Sequence, residues 1–99
     1  MRALTYGLNK YFRNKKIKIV FGVLRDKDYI KMIDELIKVS DEFITVTPEN
    51  SRALKAEELK EIIEERGKRA KAFLNIKEAV EYAINNLDYD VLVFVVLSI

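Results

Sequence analysis

The stretch VTPENSRALKAEEL, residues 46–59, leaves an apolar run, passes through a turn and enters a helical pattern. Pro48 breaks the apolar run, and Asn50 or Ser51 is the expected cap of the helix that follows. That helix is predicted from Lys55 to Arg66, because its inward-facing residues repeat at helical spacing: Ala56, Leu59, Ile62 and Ile63. The stretch therefore predicts a strand followed by a helix, which is the repeating unit of an α/β fold.

Strand and helix alternate in the same way along the rest of the chain. Apolar runs rich in β-branched and aromatic residues predict strands at Ile17–Val23, Phe43–Thr47 and Val91–Leu97, and a weaker pattern predicts one more at Lys71–Phe73. Amphipathic helical patterns fill each gap between strands, and one more precedes the first strand. The resulting order αβαβαβαβ predicts a parallel four-stranded sheet with helices on both faces, a three-layer α/β/α fold.

Two of the helices begin at residues suited to capping. Asp28 stands before one helical pattern, and Asn75 stands three residues before Glu78 at the start of another. The aromatic side chains are expected on core faces rather than in a base-stacking site: Tyr6, Tyr11, Phe12, Phe21, Phe43 and Phe73. These features need no ligand to explain them.

The composition limits both the size and the chemistry of the protein. The chain has 99 residues, of which 49% are hydrophobic and 34% charged, as is typical of one soluble globular domain. Its 18 basic and 16 acidic residues are interspersed, which argues against a nucleic-acid partner. Because the sequence contains no cysteine and no histidine, disulfides, Cys-His or Ser-His-Asp catalysis and ordinary transition-metal sites are excluded.

The sequence also lacks a nucleotide-binding motif, a membrane span and a signal peptide. The only glycines are Gly7, Gly22 and Gly67, and their spacing cannot form the phosphate-binding loop of a P-loop nucleotide site. The apolar run Val91–Leu97 is far too short to span a bilayer, and the N-terminus has no signal-peptide pattern. We therefore expect no membrane partner and a cytoplasmic location.

Two loops carry motifs that resemble a known family. The first, FGVLRDKDY at residues 21–29, and the second, PENSRA at residues 48–53, lie in register with two loops of the C-terminal domain of folylpolyglutamate synthase and dihydrofolate synthase, in the Mur ligase superfamily. The family motifs are Gly-Val-Leu-x-Asp-Lys-Asp and Pro-Asp-Asn-Pro-Arg-Ala. The chain departs from the second at Glu49 and Ser51, and the resemblance covers nearly its whole length.

The resemblance implies a specific architecture and role. It implies a Rossmann-like sheet in the order 4-1-2-3, with residues 1–99 as one Mur-ligase-like C-terminal domain, a fragment that lacks the family's first strands. The family uses ATP and Mg²⁺ to activate a folate carboxylate, which the amine of an incoming glutamate attacks. The ATP-binding ligase domain is thus an implied partner, while this chain is expected to bind no cofactor and to be inactive alone.

The resemblance also implies which residues hold the ligand. Arg25, Asn50 and Arg52 are the predicted glutamate-binding residues, because an arginine fork matches a carboxylate in a bidentate manner. Both arginines follow adjacent strands, so they are expected to converge where open α/β sheets bind ligands. The residues predicted to contact nucleotide or the partner domain are Asp26, Lys27 and Asp28. No catalytic residue and no metal ligand is predicted in the chain.

Other interpretations of the same residues remain open. Asp28 is also explained as a helix cap, Arg25 and Lys27 as solvated loop charges, and Asn50 by turn chemistry. The chain could instead be a stand-alone Rossmann-like or flavodoxin-like binding module without catalysis, or a weak RNA binder.

The last strand of the chain predicts an oligomeric state. An uncharged strand at Val91–Leu97 on the edge of the sheet predicts a homodimer that pairs through this strand.

Overall fold

The computed structural model describes residues 1–97, which form four helices and four strands in strict alternation. The helices are α1 (Arg2–Tyr11), α2 (Tyr29–Leu36), α3 (Ala56–Glu65) and α4 (Ile76–Asn85). The strands are β1 (Ile17–Gly22), β2 (Glu42–Val46), β3 (Arg69–Phe73) and β4 (Val91–Val96). The predicted order of elements is confirmed, and the largest difference in bounds is the start of β3. Strand β3 is an edge strand, and its charged residues Arg69 and Lys71 interrupt the apolar run by which a strand is recognised in the sequence.

The four strands form one parallel sheet in the order β3-β2-β1-β4. Read from the other edge this is 4-1-2-3, so the predicted α/β class and strand order are confirmed. Strand β1 lies at the centre, where Lys18 pairs with Glu42 of β2 on one side and with Leu92 of β4 on the other. Strands β3 and β4 are the two edges.

Helices cover both faces of the sheet, as a three-layer fold requires. The larger core joins one face of β1 to α1, α2 and α3 through buried apolar residues: Leu8, Ile19, Phe21, Ile33, Leu36, Leu59 and Ile63. On the opposite face α4 packs alone, and its Ala79 and Ala83 are buried against Val20, Ile44 and Val46. The two faces thus differ, with three helices on one and a single helix on the other.

The prediction for the aromatic residues is partly wrong. Phe21 and Phe43 are buried in the core, as expected. Tyr6, Tyr11 and Phe12, however, are exposed, at 68%, 73% and 40% of their surfaces. The physical reason is that α1 packs along a narrow stripe, with Thr5 and Leu8 as its buried residues, so its other apolar side chains face solvent.

One charged side chain lies inside the sheet, and the sequence pattern did not predict it. Lys18 in β1 is only 3% exposed, and its ammonium group donates to Asp88 at 2.6 Å and lies 3.2 Å from Glu42. Burial lowers the pKa of Lys18, but the hydrogen bonds to the two carboxylates outweigh burial and raise the pKa overall. The charge is therefore fully compensated and belongs to the framework of the fold.

Candidate functional site

The carboxyl ends of β1 and β2 lie against each other, and Gly22 makes this close approach possible. A Cβ atom at Gly22 would lie 2.7 Å from Cγ2 of Val46, 3.0 Å from its carbonyl oxygen and 3.3 Å from Cγ of Pro48. Only glycine fits at this position without displacing its neighbours. The loop after β2, which starts at Thr47, is thereby fixed beside the end of β1.

Main-chain hydrogen bonds then join the two loops that follow these strands. The amide of Leu54 donates to the carbonyl of Val23 at 3.0 Å, and the amide of Arg25 donates to the carbonyl of Arg52 at 2.7 Å. Leu24 and Ala53 form an isolated antiparallel bridge between them. The structure therefore places Arg25 and Arg52 side by side, as the sequence predicted from the topology of a parallel sheet.

Arg25 already binds a carboxylate of its own chain. Its two terminal nitrogens lie 3.1 Å and 3.4 Å from the two carboxylate oxygens of Glu58 in α3, which is a bidentate arrangement. This hydrogen bonding raises the pKa of Arg25. Both side chains remain about half exposed, so solvent reaches the pair. Sequence analysis missed Glu58, although its position in the first turn of α3 places it beside the strand ends.

Arg52 binds a second carboxylate, and Asn50 shapes the turn that carries it. One terminal nitrogen of Arg52 donates to Asp26 at 2.6 Å, with both side chains about half exposed. The side-chain oxygen of Asn50 accepts from the amide of Arg52 at 2.8 Å. Asn50 therefore stabilises this turn rather than capping α3. The amide of Ala56 in α3 is instead satisfied by the hydroxyl of Thr47, at 3.0 Å.

Asp28 and Lys27, the other two residues predicted to contact nucleotide or the partner domain, lie in the loop after β1 and have different roles. Asp28 caps α2, because its carboxylate accepts from the amide of Lys31 at 3.4 Å and lies 3.6 Å from the ammonium group of that residue. Lys27 is exposed and forms no ion pair with any residue between 1 and 97. Of the three residues predicted for nucleotide or domain contact, two are thus engaged within the chain.

A separate depression lies near the same end of the sheet, on the side of α4. Its volume is about 570 Å³, and it is lined by residues that follow β2, begin α4 and end β4: Thr47, Pro48, Glu49, Asn75, Ile76, Lys77 and Val96. The predicted arginines do not line it. The two guanidinium groups instead pair with Glu58 of α3 and with Asp26 in the loop before α2.

The two loops hold carboxylates through their arginines. Within residues 1–97 no three or more aspartate or glutamate side chains are grouped closely enough to hold a metal ion. The acidic residues of the loop, Asp26 and Asp28, do not fit a Mg²⁺ site, because one holds Arg52 and the other caps a helix. None of the described helices is both long and apolar enough for a membrane-spanning segment.

Comparisons with known proteins give a consistent result. The sequence matches the profile of the family "Mur ligase, glutamate ligase domain" over residues 1–97. No curated protein sequence matches the chain significantly. The relationship is therefore carried by the family profile and by solved structures.

Several solved structures share the fold over nearly the whole chain. Escherichia coli FolC in complex with DHPP and ADP is 26% identical with a TM-score of 0.83, over 98% of this chain and 22% of that one. Mycobacterium tuberculosis folylpolyglutamate synthase, complexed with ADP and AMPPCP, is 25% identical with a TM-score of 0.78, over 98% and 24% of the two chains.

A third structure is a bifunctional folylpolyglutamate synthase/dihydrofolate synthase with Mn, AMPPNP and L-glutamate bound. It is 26% identical with a TM-score of 0.75, over 97% of this chain and 23% of that one. The chain thus spans 22–24% of the length of these three structures, which corresponds to one domain of each.

Proposed function

The chain belongs to the Mur ligase family of glutamate ligase domains, and from this premise we propose that it is the C-terminal domain of a folylpolyglutamate synthase-like ligase that presents the incoming glutamate. In this role the domain binds the amino acid at the carboxyl ends of β1 and β2 and delivers its amine to a folate carboxylate activated by ATP. The proposal includes a cytoplasmic location, where folate ligation takes place in the family.

One observation carries the proposal: two adjacent arginines each hold a carboxylate at the edge where α/β folds bind ligands. In the pairs Arg25–Glu58 and Arg52–Asp26, each guanidinium group donates to a carboxylate oxygen. Glutamate carries two carboxylates, and two neighbouring guanidinium groups match that pair of charges. A related solved structure has L-glutamate bound, which supports the same ligand class for this chain.

The ATP-binding ligase domain is the partner in this proposal. The chain has three glycines and no phosphate-binding loop, so we assign ATP and Mg²⁺ to that partner domain. Lys27 is exposed and lies in the same loop as Arg25. We assign its ammonium group to contact with the partner domain or its nucleotide. No activity of the chain alone is expected, because positioning of the reacting groups supplies much of the rate enhancement in such a reaction.

The first test is binding of L-glutamate to the chain itself, followed by NMR chemical-shift titration. We expect shifts confined to the loops after β1 and β2, and about tenfold weaker binding for Arg52→Ala, which loses a charged hydrogen bond. Arg69→Ala is the matched control, because Arg69 is an exposed arginine paired with Glu42 at the amino end of the sheet. Equal affinity of the Arg52→Ala variant would mean that Arg52 does not bind the ligand and only pairs with Asp26.

The second test separates the ligase role from a stand-alone binding module. A chimera would join this chain to the ATP-binding region of a folylpolyglutamate synthase. In the chimera, Arg52→Ala should raise the KM for glutamate about tenfold and leave the KM for ATP unchanged. If the chain is a stand-alone binding module, it should bind phosphate with the same affinity as glutamate. The chimera would then show no folate-dependent ATP turnover.

A further inference from the structure

A groove lies at the amino ends of β1, β2 and β3, at the opposite end of the sheet from Arg25 and Arg52. Its volume is about 230 Å³, and its side chains come from the α4 face of these strands and from α4 itself: Lys18, Glu42, Ile44, Arg69, Lys71 and Tyr82. A water molecule takes up about 30 Å³ in the liquid, so the groove has room for a small ion. It is separate from the proposed glutamate site.

The register of the sheet sets a row of charged side chains along this groove. Lys18 of β1 pairs with Glu42 of β2, and Glu42 pairs with Arg69 of β3. Lys71 follows Arg69 by two residues in β3, so the two side chains extend from the same face of the strand. Four charged side chains therefore meet on one face of three adjacent strands.

One carboxylate, that of Glu42, pairs with three cations. Its oxygens lie 3.2 Å from the ammonium group of Lys18, 3.3 Å from that of Lys16 and 2.5 Å from a terminal nitrogen of Arg69. Lys18 has a second carboxylate partner in Asp88, at 2.6 Å. Among residues 1–97, Lys16 and Arg69 form an ion pair only with Glu42. Positive charge thus exceeds negative charge around Glu42.

Lys71 adds a cation that has no carboxylate partner. It is exposed, it forms no ion pair within residues 1–97, and its ammonium group lies 4.9 Å from the centroid of the Tyr82 ring. The groove is therefore lined by three cations and one carboxylate, a net charge of +2. Like charges this close repel one another, so an anion that enters the groove is stabilised by them.

The charged groups just outside the groove leave this balance in place. Asp88 pairs with Lys18, and Lys16 pairs with Glu42, so their two charges cancel. The carboxylate of Asp90 accepts from the main-chain amide of Lys16 at 2.7 Å and does not line the groove.

We propose that this groove binds a phosphate dianion, either free phosphate or the terminal group of a phosphate monoester. A phosphate monoester carries a charge of about −1.5 to −2 at pH 7 and presents three strong acceptor oxygens. Its charge offsets that of the lining, whereas a single carboxylate would offset only half of it. The groove and the glutamate site lie at opposite ends of the sheet, so neither proposal depends on the other.

Arg69 and Lys71 are the residues that we assign to contact with the phosphate. One terminal nitrogen of Arg69 donates to Glu42, and the other N–H groups of its guanidinium can donate to a ligand. Lys71 contributes an ammonium group with three donors. Lys18 has a different role, because it is buried and holds Glu42 and Asp88 at the base of the groove.

NMR chemical-shift titration of the chain with inorganic phosphate tests the site. We expect saturable shifts at the amides of residues 42–44 and 69–71, and none with sodium chloride at the same ionic strength or with L-glutamate, which carries its own ammonium group. Methyl phosphate distinguishes the two sources: equal binding indicates a monoester, and loss of binding indicates free phosphate. Shifts that chloride reproduces, or that fall in the loops after β1 and β2, would overturn the proposal.

The substitution Lys71→Ala tests the assigned cation. Because Lys71 is exposed and forms no ion pair in the described part of the chain, its loss should leave the fold intact. It should weaken phosphate binding about tenfold, since a charged hydrogen bond is lost. Lys77→Ala is the matched control, because it removes the same charge from an exposed position at the start of α4, and it should bind phosphate like the natural chain. Equal phosphate affinity of the two variants would contradict the assignment of Lys71.

Discussion

Gly22→Ala should destabilise the protein, because the added methyl group has no space at the carboxyl end of β1. The new Cβ would lie 2.7 Å from Cγ2 of Val46 and 3.0 Å from the Val46 carbonyl oxygen. Carbon atoms in favourable contact are about 3.5–4.0 Å apart, so the two strands must separate by several tenths of an ångström or more. Such overpacking typically costs about 1–3 kcal/mol.

An opposing effect reduces this cost without cancelling it. Replacing glycine by alanine restricts the unfolded chain and stabilises the folded state by about 0.4–1 kcal/mol where the backbone permits it. With mid-range values of about 2 and about 0.7 kcal/mol for the two effects, the net loss expected for Gly22→Ala is about 1.3 kcal/mol in the free energy of unfolding. For a chain of 99 residues this corresponds to a fall of roughly 5–10 °C in Tm.

Urea and thermal unfolding followed by circular dichroism measure this effect, and Gly7→Ala is the matched control. Gly7 lies in α1, and a Cβ there meets no atom within 4 Å. Alanine is the better helix former, so Gly7→Ala should raise stability by up to about 1 kcal/mol. The substitution Val46→Ala, which removes the clashing methyl group, should show favourable coupling with Gly22→Ala in a double-mutant cycle. A Gly22→Ala variant as stable as the natural protein would refute the steric argument.

Two further substitutions test the polar framework. Hydrogen bonding to Lys18 lowers the pKa of Asp88 below its ordinary value of 3.8. The Asp88 carboxylate therefore stabilises the fold above pH 3.8, and this stabilisation is lost as the pH falls through the folded-state pKa. Asp88→Asn should reduce stability at pH 7 and flatten the loss of stability in acid, measured as urea midpoints across pH. Asp28→Ala removes the cap of α2 and should cost about 1 kcal/mol of unfolding free energy in the same assay, whereas an unchanged midpoint would mean that solvent replaces the cap.

The fold could be predicted because its main determinants are local and periodic. Three of the four strands are short runs rich in β-branched residues, and each helix has an apolar stripe. The alternation of the two leaves few topologies besides a parallel sheet. The edge position of β4 followed from the same pattern combined with the family resemblance. The exposed aromatic residues of α1 were mispredicted because periodicity shows which side of a helix is apolar but not how much of that side a neighbour covers.

The candidate site was predictable in its place but not in its contacts. A parallel sheet brings the loops after adjacent strands to one edge, which placed Arg25 and Arg52 together. Their partners depend on side-chain geometry that spacing does not encode: Glu58 lies 33 residues from Arg25, and Asp26 lies 26 residues from Arg52. The same holds for Lys18 and Asp88, which meet across 70 residues of sequence.

The internal carboxylates change how the proposed glutamate site would work. Binding of glutamate at Arg25 and Arg52 would be an exchange, in which the ligand's carboxylates displace those of Glu58 and Asp26. Exposed ion pairs contribute little to stability, so this displacement costs little, yet each pair holds a long side chain in one orientation while no ligand is bound. The acidic partners would thus order the guanidinium groups without blocking them. Since the gain from exchange is also small, the isolated domain should bind glutamate weakly, and exclusion of water by the ATP-binding domain would be needed to strengthen the new charge pairs.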